Sequence, residues 1–226
     1  MVNKKNKLQN IAIYSSIQTK KVQQIAEHVE EVVYNLGLKS LIPKSSSSSI
    51  FSNNRSYTDN YICKKADLIV AIGGDGTLLS SARKFGSKGV PIVGVNLGSL
   101  GFLTDIAPEE LTSSLREVFK GNFVSEERIF IKSKLNQSQK EDLALNEIVI
   151  HSNAVAQLIE YELFIDNNFV FRQKADGIIV STPTGSTGYS LSGNGPIINP
   201  EVAAICIMPM FAHSLNTRPL LLKDTS

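Results

Sequence analysis

The sequence predicts an α/β domain, a parallel sheet wrapped by helices, followed by an all-β domain. In the first half, short apolar runs (Ile11 to Tyr14, Leu68 to Ile72, Pro91 to Asn96) alternate with segments of helical period, the pattern of strand–helix–strand units. Past Gly121 the helical period stops, and Leu158 to Asp166 alternates with a period of two, as a half-buried strand does. Glycine clusters follow two of the early apolar runs, at the carboxyl ends of strands where open α/β sheets take ligands.

The elements follow in order. Ile11-Ala12-Ile13-Tyr14 is a first strand. Val22, Ile25, Ala26, Val29, Val32, Val33 and Leu36 recur at helical spacing until Gly37, a helix-stopping residue. Leu38 to Pro43 is a weak second strand, and the serines from Ser45 to Ser49, with Asn53 and Asn54, read as an exposed loop or a disordered insert. Asp67 opens the strand ending at Ile72, a helix runs on to about Gly86, and Pro91 to Asn96 is the next strand. The domain boundary falls between roughly 105 and 125 and is placed at 115/116, giving domains 1–115 and 116–226. Beyond it, Leu143 to Ile150 is an apolar strand. Ile159, Tyr161, Leu163 and Ile165 share one face of the next, with Glu160, Glu162, Phe164 and Asp166 on the other. Asn167-Asn168 is a hairpin turn, Phe169 to Phe171 returns, and Ile178 to Val180 and Ala203 to Met208 add further strands.

At 226 residues with a net charge of +2, the chain has room for two modest cores and lacks a basic face for nucleic acid. Lys4, Lys5 and Lys7 read as a solvated terminus. Cys63 and Cys206 are the only cysteines and form no Cys-x-x-Cys pair, which suits a reducing compartment. The early apolar stretch is broken by Tyr14, Ser15 and Ser16, against a signal peptide, and no run is long enough to span a bilayer. A soluble, cytoplasmic protein is expected.

The most informative stretch is Gly73-Gly74-Asp75-Gly76-Thr77. Glycines at a strand end let the backbone approach a phosphate closely, at a helix N-terminus that favours anions. A bare carboxylate would repel phosphate, so Asp75 makes sense as a base for an attacking hydroxyl or as a contact to a charge-screening metal. The run fits neither the Walker pattern nor the Gly-x-Gly-x-x-Gly fingerprint. Asn96 to Phe102 forms a second glycine-rich turn, either a structural loop or a second wall of one crevice.

In the second domain Asn146-Glu147 interrupts an apolar strand. Either its polar groups meet water at an edge, or they meet the hydroxyls and base of a nucleoside. Lys174 to Pro196 packs small hydroxyls, glycines and Tyr189 together, short donors and acceptors around one stackable ring. His28 reads as solvated, His151 as a strand end, and His213 as a loop residue or a phosphate contact. Among the histidines and cysteines no group has zinc-ligand spacing.

Taken together, Gly73 to Thr77, Asn96 to Phe102, Asn146-Glu147, and Asp176-Gly177 through Ser181 to Thr187 into Tyr189 resemble the NAD kinase family, in the family's order. The first motif alone would equally suit diacylglycerol, sphingosine or phosphofructokinases; the second-domain motifs separate them. The resemblance implies a Rossmann-like α/β domain and a β-sandwich with NAD bound between them. It implies transfer of the γ-phosphoryl group of ATP, with Mg²⁺, to the 2′-hydroxyl of the adenosine ribose of NAD, giving NADP. It implies Asp75 as the general base, with Gly73, Gly74, Gly76 and Thr77 cradling phosphates and Gly76 and Phe102 beside the nucleotide. Asn146 and Glu147 would hold the adenosine part, while Thr184, Thr187, Gly188, Tyr189, Ser190, Leu191 and Ser192 would line the nucleoside pocket. Lys174, Asp176 and Gln157 would reach the dinucleotide, Asp176 in a neighbouring subunit of a homodimer or homotetramer. Position 188 is Gly where the family usually has Ala, and relatives continue through further strands after the segment matching Arg218-Pro219-Leu220, whereas this sequence ends at Ser226. A non-catalytic dinucleotide-binding protein is therefore the alternative from another class, and a lipid kinase the alternative enzyme.

Overall fold

The structure, a computed structural model, describes residues 8–46, 56–98, 101–136, 138–153, 157–213 and 218–224. The chain forms two compact units, Met1–Glu126 and Glu127–Ser226.

The first unit runs β1 (Asn10–Tyr14), α1 (Lys20–Asn35), β2 (Lys39–Pro43), β3 (Ser56–Tyr57), α2 (Asp59–Lys65), β4 (Leu68–Ile72), α3 (Asp75–Lys84), β5 (Ile92–Val95) and α4 (Leu111–Phe119). Its five strands are parallel in the order β3-β2-β1-β4-β5. Continuous apolar runs mark β1 and β4 because both faces of a central parallel strand are covered. Ile11, Ile13, Val70 and Ile72 pack with Val22 and Val29 of α1 and Leu115 of α4. Ala12, Tyr14 and Ile69 pack on the opposite face with Ile62 and Phe85. Thr19 caps α1 by accepting the Val22 N–H (3.2 Å), and Gly37, at φ +69°, turns the chain out of the helix.

Side chains tie β1 to β4 beyond the sheet itself. At the start of the pair, Asp67 Oδ2 accepts the N–H groups of Gln9 and Asn10, both at 2.8 Å. Past its far end, the hydroxyls of Ser16 and Thr77 lie 2.8 Å apart. Helix α4 spans residue 115 and buries Leu111, Leu115 and Phe119 in this core, so the first unit runs past the position expected from the sequence, to Glu126.

The second unit contains β6 (Ile131–Lys134), β7 (Glu141–Ala144), β8 (Glu147–His151), β9 (Ile159–Ile165), β10 (Asn168–Ala175), β11 (Gly177–Ser181), α5 (Tyr189–Ser192), β12 (Ala204–Met210) and β13 (Leu220–Lys223). Its pairings are antiparallel: a four-stranded sheet β13-β12-β11-β8 and the pairs β6–β7 and β9–β10.

Three local expectations are corrected. The hairpin between β9 and β10 turns at Asp166-Asn167 (φ +50° and +64°), with Ile165 opposite Asn168, one residue earlier than expected. The strand expected over Leu143 to Ile150 breaks at Leu145-Asn146, between β7 and β8. The loop after β11 is helical, a 3-10 turn over Thr184–Thr187 followed by α5. Ser47 to Ser49, Asn53 and Asn54 lie outside the described residues. Among the described residues no helix is long and apolar enough to cross a membrane.

Leu115 is fully buried in the first unit's core, whereas Val124 is 83% exposed. Leu115→Ala is expected to lower the stability of that unit by about 2–5 kcal/mol and Val124→Ala by no more than about 0.5 kcal/mol, measured by urea unfolding.

Candidate functional site

In the first unit the site begins where β4 ends. Gly73 is buried because Thr77 folds back on it: a Cβ at residue 73 would lie 2.3 Å from Thr77 Oγ1. Thr77 is itself buried, with its hydroxyl engaged by Ser16, so that hydroxyl braces the turn. Gly74 and Gly76 are exposed, with no atom within 4 Å of where a Cβ would sit at either. The backbone at the N-terminus of α3 is thereby open to close approach by an anion.

Asp75, at the first position of α3, is half-buried and holds the second glycine-rich turn. Phe102 N–H donates to Oδ2 (3.0 Å) and Leu103 N–H to Oδ1 (3.1 Å). A Cβ at Gly101 would lie 2.2 Å from Oδ1, so only glycine lets the chain pass this closely. Asn96 supports the same turn, accepting the Gly98 N–H at 3.0 Å, with Gly98 at φ +125°. A carboxylate has about four lone-pair sites; each Asp75 oxygen spends one on an amide and keeps another. The Phe102 ring is 75% exposed.

The second unit has a candidate site of its own, shaped by Thr182. Its N–H donates to Asn146 O (2.8 Å), its hydroxyl donates to Leu145 O (2.5 Å), and it accepts the Gly185 N–H (3.1 Å). These bonds bend the chain at Leu145-Asn146. Gly185 then packs on the bend, where a Cβ would sit 2.1 Å from Asn146 O. Asn146 and Glu147 project toward Gly188: a Cβ there would lie 2.8 Å from Glu147 Oε2 and 3.2 Å from Asn146 Nδ2. Asn146 Oδ1 and Glu147 Oε2 are both buried without a hydrogen-bond partner. Burial pushes the Glu147 carboxyl above the usual glutamate range, and a hydrogen bond from the Tyr189 N–H offsets part of that rise.

A cleft of about 390 Å³ opens beside Tyr189, bringing together Gln157, Asp176 and Tyr189 with His151, Ser152 and Phe211. His151 Nδ1 lies 2.6 Å from the Ser152 carbonyl and donates to it. Lys174 extends across the hairpin instead, with Nζ 4.0 Å from Glu160 Oε2. Thr184 and Ser190 are buried: Thr184 Oγ1 accepts from Arg128 Nη1 (3.3 Å), and Ser190 Oγ packs on Gly195. Thr187 donates to Thr184 O (3.3 Å), while Leu191 and Ser192 are exposed. Thr182 lies within the motif Ser181 to Thr187 and His151 ends β8 as expected, but the backbone contacts of Thr182 and Leu103 depend on tertiary placement that residue type does not show. Among the described residues no three His, Cys, Asp or Glu side chains gather as a metal cage.

Residues 2–123 match the model of the ATP-NAD kinase N-terminal domain and residues 145–226 that of the ATP-NAD kinase C-terminal domain. The chain belongs to the NAD kinase family. Curated NAD kinases of Teredinibacter turnerae and Pseudoalteromonas translucida are 45% and 48% identical over 168 and 161 residues, or 73% and 70% of this chain. Those stretches are 57% and 55% of the relatives' own lengths, so the chain spans little more than half of each. Yeast NADH kinase in complex with NADH superposes with a TM-score of 0.84 at 29% identity, covering 97% of this chain and 70% of that one. The NAD kinase of Archaeoglobus fulgidus in complex with ATP gives 0.74 at 27%, covering 95% and 77%. Both family domains thus have counterparts here, the α/β unit and the antiparallel β unit.

The raised Glu147 carboxyl sets a pH dependence. Its protonated form is favoured by folding, a gain complete below the ordinary value of 4.5 and lost as pH rises through the raised one. At neutral pH the buried charge therefore costs stability. Glu147→Gln is expected to raise the unfolding temperature at pH 7, with the difference shrinking as pH falls toward 4.5. Thermal scans across pH measure this.

Proposed function

We propose that this protein is an NAD kinase that transfers the γ-phosphoryl group of ATP to the 2′-hydroxyl of the adenosine ribose of NAD, forming NADP. The observation that carries the reading is the pair of buried, unpartnered acceptors, Asn146 Oδ1 and Glu147 Oε2, beside Gly188. Leaving such groups unsatisfied costs about 1–3 kcal/mol each, and a nucleoside's hydroxyls and amino group are donors that satisfy them. A diacylglycerol brings a single hydroxyl, too few donors for both. Membership of the family supports the same substrate, as do the NADH and ATP complexes of the two structural neighbours. Gln157, Asp176 and Tyr189, gathered in one cleft, take the rest of the dinucleotide.

Asp75 supplies the chemistry on the first unit. A ribose hydroxyl is a weak nucleophile, and a positioned base is worth on the order of 10²–10⁴-fold. The remaining lone pairs of Asp75 can take the hydroxyl proton without releasing the loop that its other lone pairs hold. The exposed glycines at the start of α3 suit the donor's phosphates. Mg²⁺ would come with the triphosphate, since among the described residues no three His, Cys, Asp or Glu side chains gather as a metal cage. Bound, it neutralises phosphate charge. A homodimer or homotetramer in the cytoplasm completes the reading.

The test is NADP formation by the full chain with ATP, Mg²⁺ and NAD, read through an NADP-specific dehydrogenase. Asp75→Asn is expected to lose at least about 100-fold in turnover while NAD affinity stays within a few-fold; retained turnover would exclude Asp75 as the base. Tyr189→Ala is expected to weaken NAD binding by about three- to tenfold, the worth of a stacking contact, as measured by calorimetry. Binding without product would make the protein a dinucleotide binder instead.

A further inference from the structure

A hydroxyl close to Asp75 finds no hydrogen-bond partner among the described residues. Thr104 is 5% exposed, and its Oγ1 has no hydrogen-bond partner. Its orientation is set from the other side. A Cβ at Gly94 of β5 would lie 3.0 Å from Thr104 Cα and 3.1 Å from its methyl, so both lie flat on the strand. The following residues are tied there too, with Asp105 and Ile106 donating to Gly94 O at 3.2 and 3.0 Å. The hydroxyl faces Gly101. The point where a Gly101 Cβ would sit is 3.0 Å from Thr104 Oγ1 and 2.2 Å from Asp75 Oδ1. Two oxygens therefore flank a space that a glycine keeps open.

The amides of Phe102 and Leu103 can only donate. They suit a carboxylate but offer no lone pair to a carboxylic acid. A threonine hydroxyl both donates and accepts. We infer that Thr104 is a positioning residue for Asp75, the two oxygens closing the gap that Gly101 keeps open so that the hydroxyl accepts the hydrogen bond of the Asp75 carboxyl while that group carries the substrate's proton. This rests on the proposed phosphoryl transfer. In that step the ribose O–H bond breaks as its oxygen bonds to the γ-phosphorus of ATP. The P–O bond to ADP breaks with its electron pair leaving on ADP, and the proton passes to Asp75 and then to water. A buried hydroxyl unpaired in the resting protein destabilises the fold. Its partner comes with the transient protonated state.

Two substitutions separate this role from a packing role. Thr104→Val keeps the shape and removes the hydroxyl; Thr104→Ser keeps the hydroxyl and removes the methyl. With ATP, Mg²⁺ and NAD, Thr104→Val is expected to lose about tenfold in kcat, the worth of one hydrogen bond in the transition state. Its KM for NAD should stay within about twofold, because the binding groups are untouched, and its unfolding temperature should be unchanged or higher. Thr104→Ser should do the reverse, unfolding at lower temperature while keeping kcat within about threefold. Wild-type kcat in Thr104→Val, or an equal kcat loss in both variants, overturns the role of Thr104 alone. A wild-type chain that makes no NADP overturns the proposed function, and the role of Thr104 with it.

Discussion

A half-buried carboxylate needs partners, and the partners Asp75 takes are the main-chain amides of Phe102 and Leu103. Because β4 and β5 are parallel neighbours, the turns leaving them emerge side by side, and one side chain spans the gap. The glycine at 101 follows from that contact, since any side chain there would strike the carboxylate. So does the course of residues 101–106, which pass Asp75 and return to Gly94 of β5. Donation from amides fixes the carboxylate without occupying all its lone pairs. The second glycine-rich turn and the Asp75 carboxylate are thus held by the same two bonds.

The second unit solves a different problem with the same device, close backbone approach. Gly185 lies against the Asn146 carbonyl, and Gly177 lies where a Cβ would meet Ile150 O at 2.4 Å. Thr182 uses its amide, hydroxyl proton and hydroxyl oxygen on the surrounding backbone. With the main chain satisfied in this way, the side chains of Asn146 and Glu147 are left over. Their unpaired acceptors run against the usual pairing of buried polar groups.

Much of the architecture was legible in the residues. The buried strand from Leu68 to Ile72 is a continuous apolar run, and α1 shows its core face through Val22 to Val33. The alternation over residues 159–165 reappears as alternating half-buried and exposed side chains. What escaped was decided by contacts distant in sequence. The bend at Leu145-Asn146 lies inside an apolar run and is imposed by Thr182. Residues 184–192 have loop-like composition yet coil, because Ser186 and Thr187 turn their hydroxyls onto Pro183 O and Thr184 O. The site motifs stood out as motifs, but the direction of each side chain did not. Thr77 and Ser190 face inward, and Thr104 gave no sign of its closeness to Asp75. Such directions depend on which main-chain atoms a neighbouring loop presents.

The two central strands are fastened at both ends, by Asp67 on the amides of Gln9 and Asn10 and by Ser16 on Thr77. Four residues of sheet register lie between those fastenings, which makes β1 and β4 a single stiff beam with Asp75 mounted at its tip. Pinned at both ends, the two strands are held against sliding past one another, and the start of α3 is tied to the end of β1. Whatever meets Asp75 must come to it, because the mounting of that carboxylate is fastened on both sides.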